Sequence, residues 1–305
     1  MRENKKYAVF TIDVEAFSDT GCISALGKNV CSDADARLMD GLERYLSLLE
    51  WHGIRATMFA LASTAKKLGD RLREYVCRGH EPALHGLNHT SLDSMDNGRF
   101  REETLAAKEL LEKELGTDIC GYRAPFFSLD NEKLEILKEL GFSYDSSRMA
   151  YPGSDHNGKL DVSGFDKVLC EAYRSGDFFE YGISHKKLFG MNVPISGGGY
   201  IRLSGPGWGA VRSMIESYAK TEDLYIFYLH PFELSQNTPP CPRELTAHDK
   251  YYLRHGLRDY GAKIETIIDI LKRNGFEFVT FDALTRILKQ KCGTPTAPTC
   301  TDSSI

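Results

Sequence analysis

The sequence lacks the features that mark several specialised classes of protein. No two of its eight cysteines form a C-x-x-C pair, and their spacing matches neither a zinc ribbon nor a disulfide framework, so we expect reduced thiols. No apolar run approaches the ~18 residues of a membrane-spanning helix. The first residues are basic, but the apolar stretch of a secretory signal does not follow them. These absences predict a cytoplasmic protein without a membrane span.

An excess of positive charge is also missing. The chain has 38 Lys and Arg residues against 43 Asp and Glu residues, which gives a net charge of -5 and a pI near 6.0. Nucleic acids and anionic membranes attract basic proteins, so this balance argues against both as partners. With 42% hydrophobic and 27% charged residues, the composition is that of an ordinary globular protein.

Strand-like and helix-like segments alternate along the 305 residues, which is typical of a largely parallel α/β architecture. Residues 7–13 and 224–229 have the pattern of buried strands, and residues 97–115 that of an amphipathic helix. We predict one catalytic domain over residues 1–290. Residues 291–305 have no core-forming pattern, and we expect a disordered tail there.

Two motifs bring together residues that could bind a metal ion. Asp13 and Glu15 are two positions apart at the end of the first strand, so their side chains point to the same face. His85 and His89 are four positions apart, which brings two imidazoles together on a helical turn. A carboxylate with two histidines is a metal-ligand set that leaves room for water. We favour Glu15 as the ligand and Asp13 as a general base, and the reverse assignment stays open.

Arg123 and His230 each end a predicted strand, at the edge where parallel α/β barrels place their active sites. Arg123 could pair with a surface acid, or it could hold Asp13 ionised and oriented. A lone histidine at the end of a buried strand is usually structural. Beside a metal site, however, His230 becomes a natural general acid, because its unperturbed pKa lies near 6.5.

A glycine-rich run supplies the candidate substrate contacts Gly198, Gly199 and Tyr200. The run SGGGY lacks the lysine-containing pattern of a phosphate-binding loop. Close approach of the backbone to a sugar, or plain loop flexibility, are the two interpretations that remain.

Together the motifs resemble those of the polysaccharide deacetylase (NodB-homology) family, in its subgroup with D-V-E in the first motif. The matching segments read TIDVE at 11–15, HGLNH at 85–89, RAPF at 123–126 and LH at 229–230. Two positions depart from the family pattern. Val14 stands where the commoner motif has a second aspartate, and Gly86 replaces a serine or threonine that would steady the ligands. The family's fourth motif has no clear counterpart.

The resemblance implies a distorted (β/α) barrel with fewer than eight regular units. It also implies metal-dependent removal of an acyl group, such as acetyl, from an amino sugar in a polysaccharide, a glycan precursor, or a nucleotide- or lipid-linked sugar. A divalent ion at Glu15, His85 and His89 would be zinc, with cobalt, nickel or manganese as alternatives.

The remaining motif residues receive roles from the same resemblance. Asp13 would act as the base and His230 as the acid, while Arg123 orients Asp13. The backbone N–H of Phe126 would contact the oxyanion. Two other functions stay open: an amidohydrolase or deformylase that acts on a small amide, and a carbohydrate-binding protein that has lost catalysis.

Overall fold

The computed structural model describes residues 5–27, 34–150 and 160–293. The strands of these residues are β1 (Lys6–Val14), β2 (Thr57–Ala60), β3 (Glu81–Leu84), β4 (Gly121–Tyr122), β5 (Tyr144–Asp145), β6 (Asp166–Leu169), β7 (Ala172–Ser175), β8 (Phe178–Tyr181), β9 (His185–Leu188), β10 (Met191–Pro194), β11 (Leu224–Phe227) and β12 (Phe276–Phe278). The helices are α1 (Gly21–Ser24), α2 (Ala34–Trp51), α3 (Ala62–Cys77), α4 (Asn97–Leu115), α5 (Asn131–Glu139), α6 (Gly198–Leu203), α7 (Trp208–Thr221), α8 (Ala247–Arg254), α9 (Tyr260–Arg273) and α10 (Phe281–Lys291).

Most strands form one curled sheet in the order β11-β1-β2-β3-β4-β5-β8-β7-β6, and β12 pairs with β1 beside this path. The neighbours from β11 to β8 run parallel, whereas β7 and β6 are antiparallel. Helices follow the parallel strands and cover the sheet. The predicted distorted (β/α) barrel is therefore confirmed.

The central strand β1 holds the sheet together. It pairs with β11 along one edge and with β12 and β2 along the other. All its residues after Lys6 are buried, which explains why its sequence reads as a nearly continuous apolar run instead of an alternating one. The backbone N–H of Asp13 donates to the carbonyl of Leu229 at 3.0 Å, so the end of β1 is tied to the segment that follows β11.

The elements predicted from the sequence agree with the structure in some parts of the chain and not in others. Helix α4 has the predicted bounds and ends at Gly116 in the left-handed conformation (φ 70°). The antiparallel strands β6 and β7 and the helices α7 and α8 were not predicted. The final helix α10 extends to Lys291, one residue past the predicted domain end, and residues 294–305 of the predicted tail lie outside the described residues.

Two structural findings bear on the predictions of no membrane span, reduced cysteines and a cytoplasmic location. Among the described residues no helix is long and apolar enough to span a membrane. Cys120 is disulfide-bonded, so the expectation that all cysteines are reduced is wrong at this position. Disulfides are rare in cytosolic proteins, and the cytoplasmic location stays a prediction.

Candidate active site

The predicted polar residues converge at the carboxyl-terminal ends of the parallel strands. Asp13 and Glu15 lie at the end of β1, His85 follows β3, Arg123 follows β4, and His230 comes shortly after β11. A cleft of about 820 Å³ opens at this edge of the sheet. The predicted site residues that line it are Asp13, Glu15, His85, His89, Phe126, Gly199, Tyr200 and His230.

Glu15, His85 and His89 form a compact cluster of possible ligands. One ligand atom from each residue lies within 4.8 Å of the other two. Glu15 Oε2 is 2.7 Å from His89 Nε2 and 3.6 Å from His85 Nε2. It is nevertheless buried without a hydrogen bond of ordinary geometry from any residue that the structure describes. A carboxylate oxygen that lies this close to two imidazole nitrogen atoms, without an ordinary hydrogen bond from them, suits a bound cation.

The ring orientation of His85 also suits a ligand. His85 Nδ1 lies 2.8 Å from the carbonyl oxygen of Arg123, which can only accept, so Nδ1 must carry the proton. His85 Nε2 then has a free lone pair directed toward Glu15. Metal-bound histidines commonly have this arrangement, in which a backbone carbonyl fixes the tautomer.

From their spacing we expected the two histidines to lie on a helical turn, and this prediction is wrong. Residues 85–90 form a loop between β3 and the following short helical turn, and the two ring centroids are 5.4 Å apart. The loop turns at Gly86, where φ is +94°. Side-chain-bearing residues rarely adopt this conformation, which explains the glycine in place of serine or threonine. The carbonyl of Arg123 steadies His85 instead.

The other departure in the motifs, Val14, has a packing explanation. Val14 is fully buried in the main hydrophobic core, on the opposite side of the strand from Asp13. A ligand at this position would point away from the cleft. Glu15, the residue after the strand, reaches the cleft and contacts both histidines.

Asp13 is held by Arg123, which is the second of the two alternatives that the sequence left open. Arg123 Nη1 donates to Asp13 Oδ1 at 2.7 Å and to the hydroxyl of Thr11 at 2.8 Å. Its Nε and Nη2 donate to the carbonyl and the hydroxyl of Ser146, both at 3.0 Å. The guanidinium carbon lies 4.0 Å from the ring centroid of Phe59. With every donor group engaged and the side chain fully buried, Arg123 fixes one oxygen of Asp13 in place.

His230 faces Glu15 from another side of the cleft. Its Nε2 is 3.6 Å from Glu15 Oε1, and its Nδ1 is 3.4 Å from Glu233 Oε2. Glu233 is fully buried, and its other oxygen accepts a hydrogen bond of 2.8 Å from Arg202 Nε. The backbone N–H of His230 also donates to Glu233, at 3.0 Å. Glu233 and Arg202 therefore support His230 from behind.

Electrostatics divides these groups into anions and cations. Burial would raise the pKa of Glu15, but the charges of His89 and His230, with the close approach of the His85 and His89 rings, hold it well below its usual range. Burial would lower the pKa of His230, but the carboxylates of Glu15 and Glu233 raise it to about 9. The same balance between burial and Glu15 raises the pKa of His89. Without a metal ion, Glu15 is thus a carboxylate beside the imidazolium group of His230.

The glycine-rich run has two roles, of which the sequence predicted one. Gly199 and Tyr200 line the cleft, as expected for substrate contacts. Gly198 does not line it. A Cβ atom at Gly198 would come within 1.7 Å of Glu233 Oε2, so this glycine makes room for the carboxylate behind His230.

Glu233 and Arg202 were not among the predicted site residues. A signal for Glu233 exists, since the segment His230-Pro231-Phe232-Glu233 places an acid three residues after the histidine. Arg202 gives no such signal, because its partner is 31 positions away in sequence and only the fold joins them.

Comparisons with known proteins agree with this geometry. The family model described as "Polysaccharide deacetylase" matches residues 32–144, and a model described as "Domain of unknown function (DUF3473)" matches residues 146–286. A peptidoglycan deacetylase-like protein of Gibberella zeae is 26% identical over 166 residues, which are 52% of this chain and 49% of that relative. The match thus spans about half the length of this curated relative.

Solved structures share the fold. A polysaccharide deacetylase candidate of Mycobacterium smegmatis is 22% identical with a TM-score of 0.60, covering 98% of this chain and 96% of that one. Puue allantoinase is 15% identical with a TM-score of 0.63, covering 97% and 94%. A pseudoenzyme of carbohydrate esterase family 4 from Bacillus anthracis is 14% identical with a TM-score of 0.52, covering 92% and 66%.

The fold is that of the deacetylase-type barrel. Residues 32–144 match the polysaccharide deacetylase family. The predicted resemblance to this family is confirmed.

Proposed function

We propose that the chain is a metal-dependent hydrolase that removes an N-acyl group, such as acetyl, from an amino sugar. The observation that carries this proposal is the convergence of Glu15, His85 and His89 in a cleft that Asp13 and His230 also line. A base, an acid and a ligand set in one cleft are the components that hydrolysis of an unactivated amide requires.

The ligand set fits a divalent cation on the chemistry of its donors. Glu15 Oε2 is buried and unsatisfied among the described residues, and the tautomer of His85 leaves Nε2 free to bind. One oxygen and two nitrogen donors suit zinc, with cobalt, nickel or manganese as alternatives. When bound, such an ion would supply a Lewis acid that polarises the acyl carbonyl and makes water more acidic.

The protein groups then divide the proton transfers. Asp13 accepts the proton of the attacking water, because Arg123 keeps its carboxylate oriented. His230 donates a proton to the departing amine, because its neighbouring carboxylates favour the imidazolium form. The backbone N–H of Phe126 is our candidate contact for the oxyanion, and this residue lines the cleft.

The cleft also limits the substrate. Its volume of about 820 Å³ falls within the ~300–1,000 Å³ of small-molecule sites. Gly199 and Tyr200 line the wall that a sugar would contact. We propose an amino sugar in a glycan, a glycan precursor, or a nucleotide- or lipid-linked form, and a cytoplasmic location for the protein.

Metal content and turnover, measured on the same protein preparations, test this function. We expect wild type to bind about one divalent ion and to release acetate from N-acetylated amino sugars. Glu15→Ala and His85→Ala should lose the metal and the activity together, because each removes a ligand from an open site. His80→Ala is the matched control, since His80 is also a buried imidazole but bonds to Glu50, away from the cleft. It should keep its metal.

The other outcomes separate the rival functions. Bound metal without deacylation of any acylated amino sugar would favour a carbohydrate-binding protein without catalysis. Hydrolysis of a cyclic amide or a formamide, with sugars left intact, would favour the small-amide hydrolase. Equal metal content in wild type and His85→Ala would remove His85 from the ligand set.

A further inference from the structure

The hairpin of β9 and β10 presents apolar side chains to solvent at its tip. Phe189 is fully exposed and Met191 is 65% exposed, and the two flank the turn glycine, Gly190. Single exposed apolar residues are common on protein surfaces. Two large ones at the end of a projecting hairpin are an exposed apolar patch, which usually marks a surface that binds something.

The backbone conformation of the turn makes a phenylalanine at position 189 energetically unfavourable. Phe189 and Gly190 both have positive φ, of 48° and 83°. Two-residue hairpin turns of this kind favour Asn, Asp or Gly at the first position, because a side chain there is strained. Phe189 gains no burial in return, since it contacts solvent on all sides. The folded chain alone therefore does not explain a phenylalanine at this position.

Charge near the tip differs from that of the whole protein. Lys186 and Lys187 lie on β9, next to the turn, and Lys187 is exposed. No aspartate or glutamate occurs between Glu180 and Glu216, although acids outnumber bases in the chain. The net charge of -5, from which we expected no attraction to anionic membranes, does not describe this segment.

The hairpin is anchored beside the cleft. Ser196, just after β10, donates to the carbonyl of Ile226 on β11 at 2.6 Å, and Tyr225 donates to the carbonyl of Ile195 at 2.8 Å. The side chain of Asn192 donates to the carbonyl of Ala150, the neighbour of the cleft residue Met149. The chain then continues into α6, which supplies Gly199 and Tyr200 to the cleft. The base of the hairpin is therefore tied to segments that also form the cleft.

We propose that the β9–β10 hairpin docks the protein on an anionic phospholipid bilayer, with Phe189 and Met191 entering the interface and Lys186 and Lys187 contacting lipid headgroups. Apolar tips flanked by lysines are the chemistry that peripheral proteins use at anionic membranes. This surface lies within the segment matched by the family model of unknown function and is separate from the proposed catalytic residues.

Co-flotation of the purified chain with lipid vesicles tests the proposal. We expect binding to vesicles that contain phosphatidylglycerol and much weaker binding to pure phosphatidylcholine. Phe189→Ser/Met191→Ser should reduce the partition coefficient at least ~10-fold, because both apolar contacts are lost. Lys187→Gln should reduce it about five-fold at low salt, and by less at high salt.

A matched control distinguishes the hairpin from exposed aromatic surface in general. Trp51, the last residue of α2, is 86% exposed, and Trp51→Ser should bind vesicles like wild type. No binding of wild type to anionic vesicles would overturn the proposal, and so would full binding by the Phe189→Ser/Met191→Ser variant. Metal content and hydrolysis of a soluble amino sugar should be equal in this variant and wild type, so failure of the docking proposal stays separate from failure of the proposed function.

Discussion

Two buried arginine–carboxylate pairs support the cleft, and they do so differently. In the Asp13–Arg123 pair the carboxylate itself lines the cleft, and every donor group of the arginine is engaged. In the Glu233–Arg202 pair the carboxylate lies behind His230, and Arg202 Nη2 has no hydrogen-bond partner among the described residues. The side of the cleft with Asp13, the proposed base, is thus fixed by a complete hydrogen-bond network, and we call it the base side. On the opposite side, which we call the acid side, Glu233 reaches the cleft only through the imidazole of His230, the proposed acid. The contacts of this ring with Glu15 and Glu233 are 3.4 Å or longer.

Removing the arginine from the base side should have the largest effect. Arg123→Met leaves Asp13 buried without its counter-charge, and breaking a buried pair from one side costs about 3–5 kcal/mol of unfolding free energy. Chemical denaturation measures the loss. Arg99→Met is the matched control, because Arg99 pairs with Glu103 on an exposed helix face, and its loss should stay below about 0.5 kcal/mol. A similar loss in both variants would mean that the Arg123 network contributes no special stability.

Asp13→Asn separates the base from the ligand set. The amide keeps the shape of the side chain but cannot accept the proton of water, so kcat should fall by about 10²–10⁴-fold. Metal content should stay at the wild-type level. Loss of the metal in Asp13→Asn, with retention in Glu15→Ala, would reverse the assignment of the two acids.

His230→Ala tests the acid side by the choice of leaving group. Cleavage of an amide needs a proton on the departing nitrogen, whereas an activated ester with a stable phenolate leaving group does not. We expect a loss of about 10²-fold or more on the amide and little change on the ester, at unchanged metal content. Equal losses on both substrates would indicate a binding or structural role for His230.

The smallest effect concerns the pH dependence of stability in metal-free protein. The carboxylates of Glu15 and Glu233 raise the pKa of His230 from 6.5 to about 9. A raised pKa in the folded state stabilises the protein fully below pH 6.5, and this contribution is lost as the pH rises through about 9. Denaturation in the presence of a chelator, from pH 6 to pH 10, should show this decline in wild type. The decline should be smaller in His230→Gln, where His89 still contributes, and an identical decline in the variant would assign it to another group.

The sequence predicted the base side of the site better than the acid side, for a physical reason. Asp13, Glu15, His85 and Arg123 lie at the ends of the parallel strands β1, β3 and β4, so strand periodicity and the rule for barrel edges bring them together. Glu233 and Arg202 meet through a glycine run and a loop that have no regular period. The helical turn expected for His85 and His89 was wrong because Gly86 adopts a left-handed conformation that residue spacing does not reveal.

The antiparallel strands, in the main sheet and in the separate β9–β10 hairpin, could not be predicted either. Strands β6 and β9 carry mostly exposed or half-buried residues, so they lack the apolar run that marks β1 and β11. Their pairing is set by turns and by tertiary contacts such as that between Asn192 and Ala150.

The position of β1 between β11 and β2 has a consequence for synthesis of the chain on the ribosome. The hydroxyl of Thr11 bonds to the carbonyl of Phe227, 216 residues later in the sequence. At ~5–20 residues per second, one edge of β1 waits roughly 10–40 s for its partner strand to be translated. During that interval an apolar strand with unpaired backbone groups is open to pairing with other chains. Nascent chains released before β11 should therefore aggregate, and the cleft can form only after most of the protein has been made.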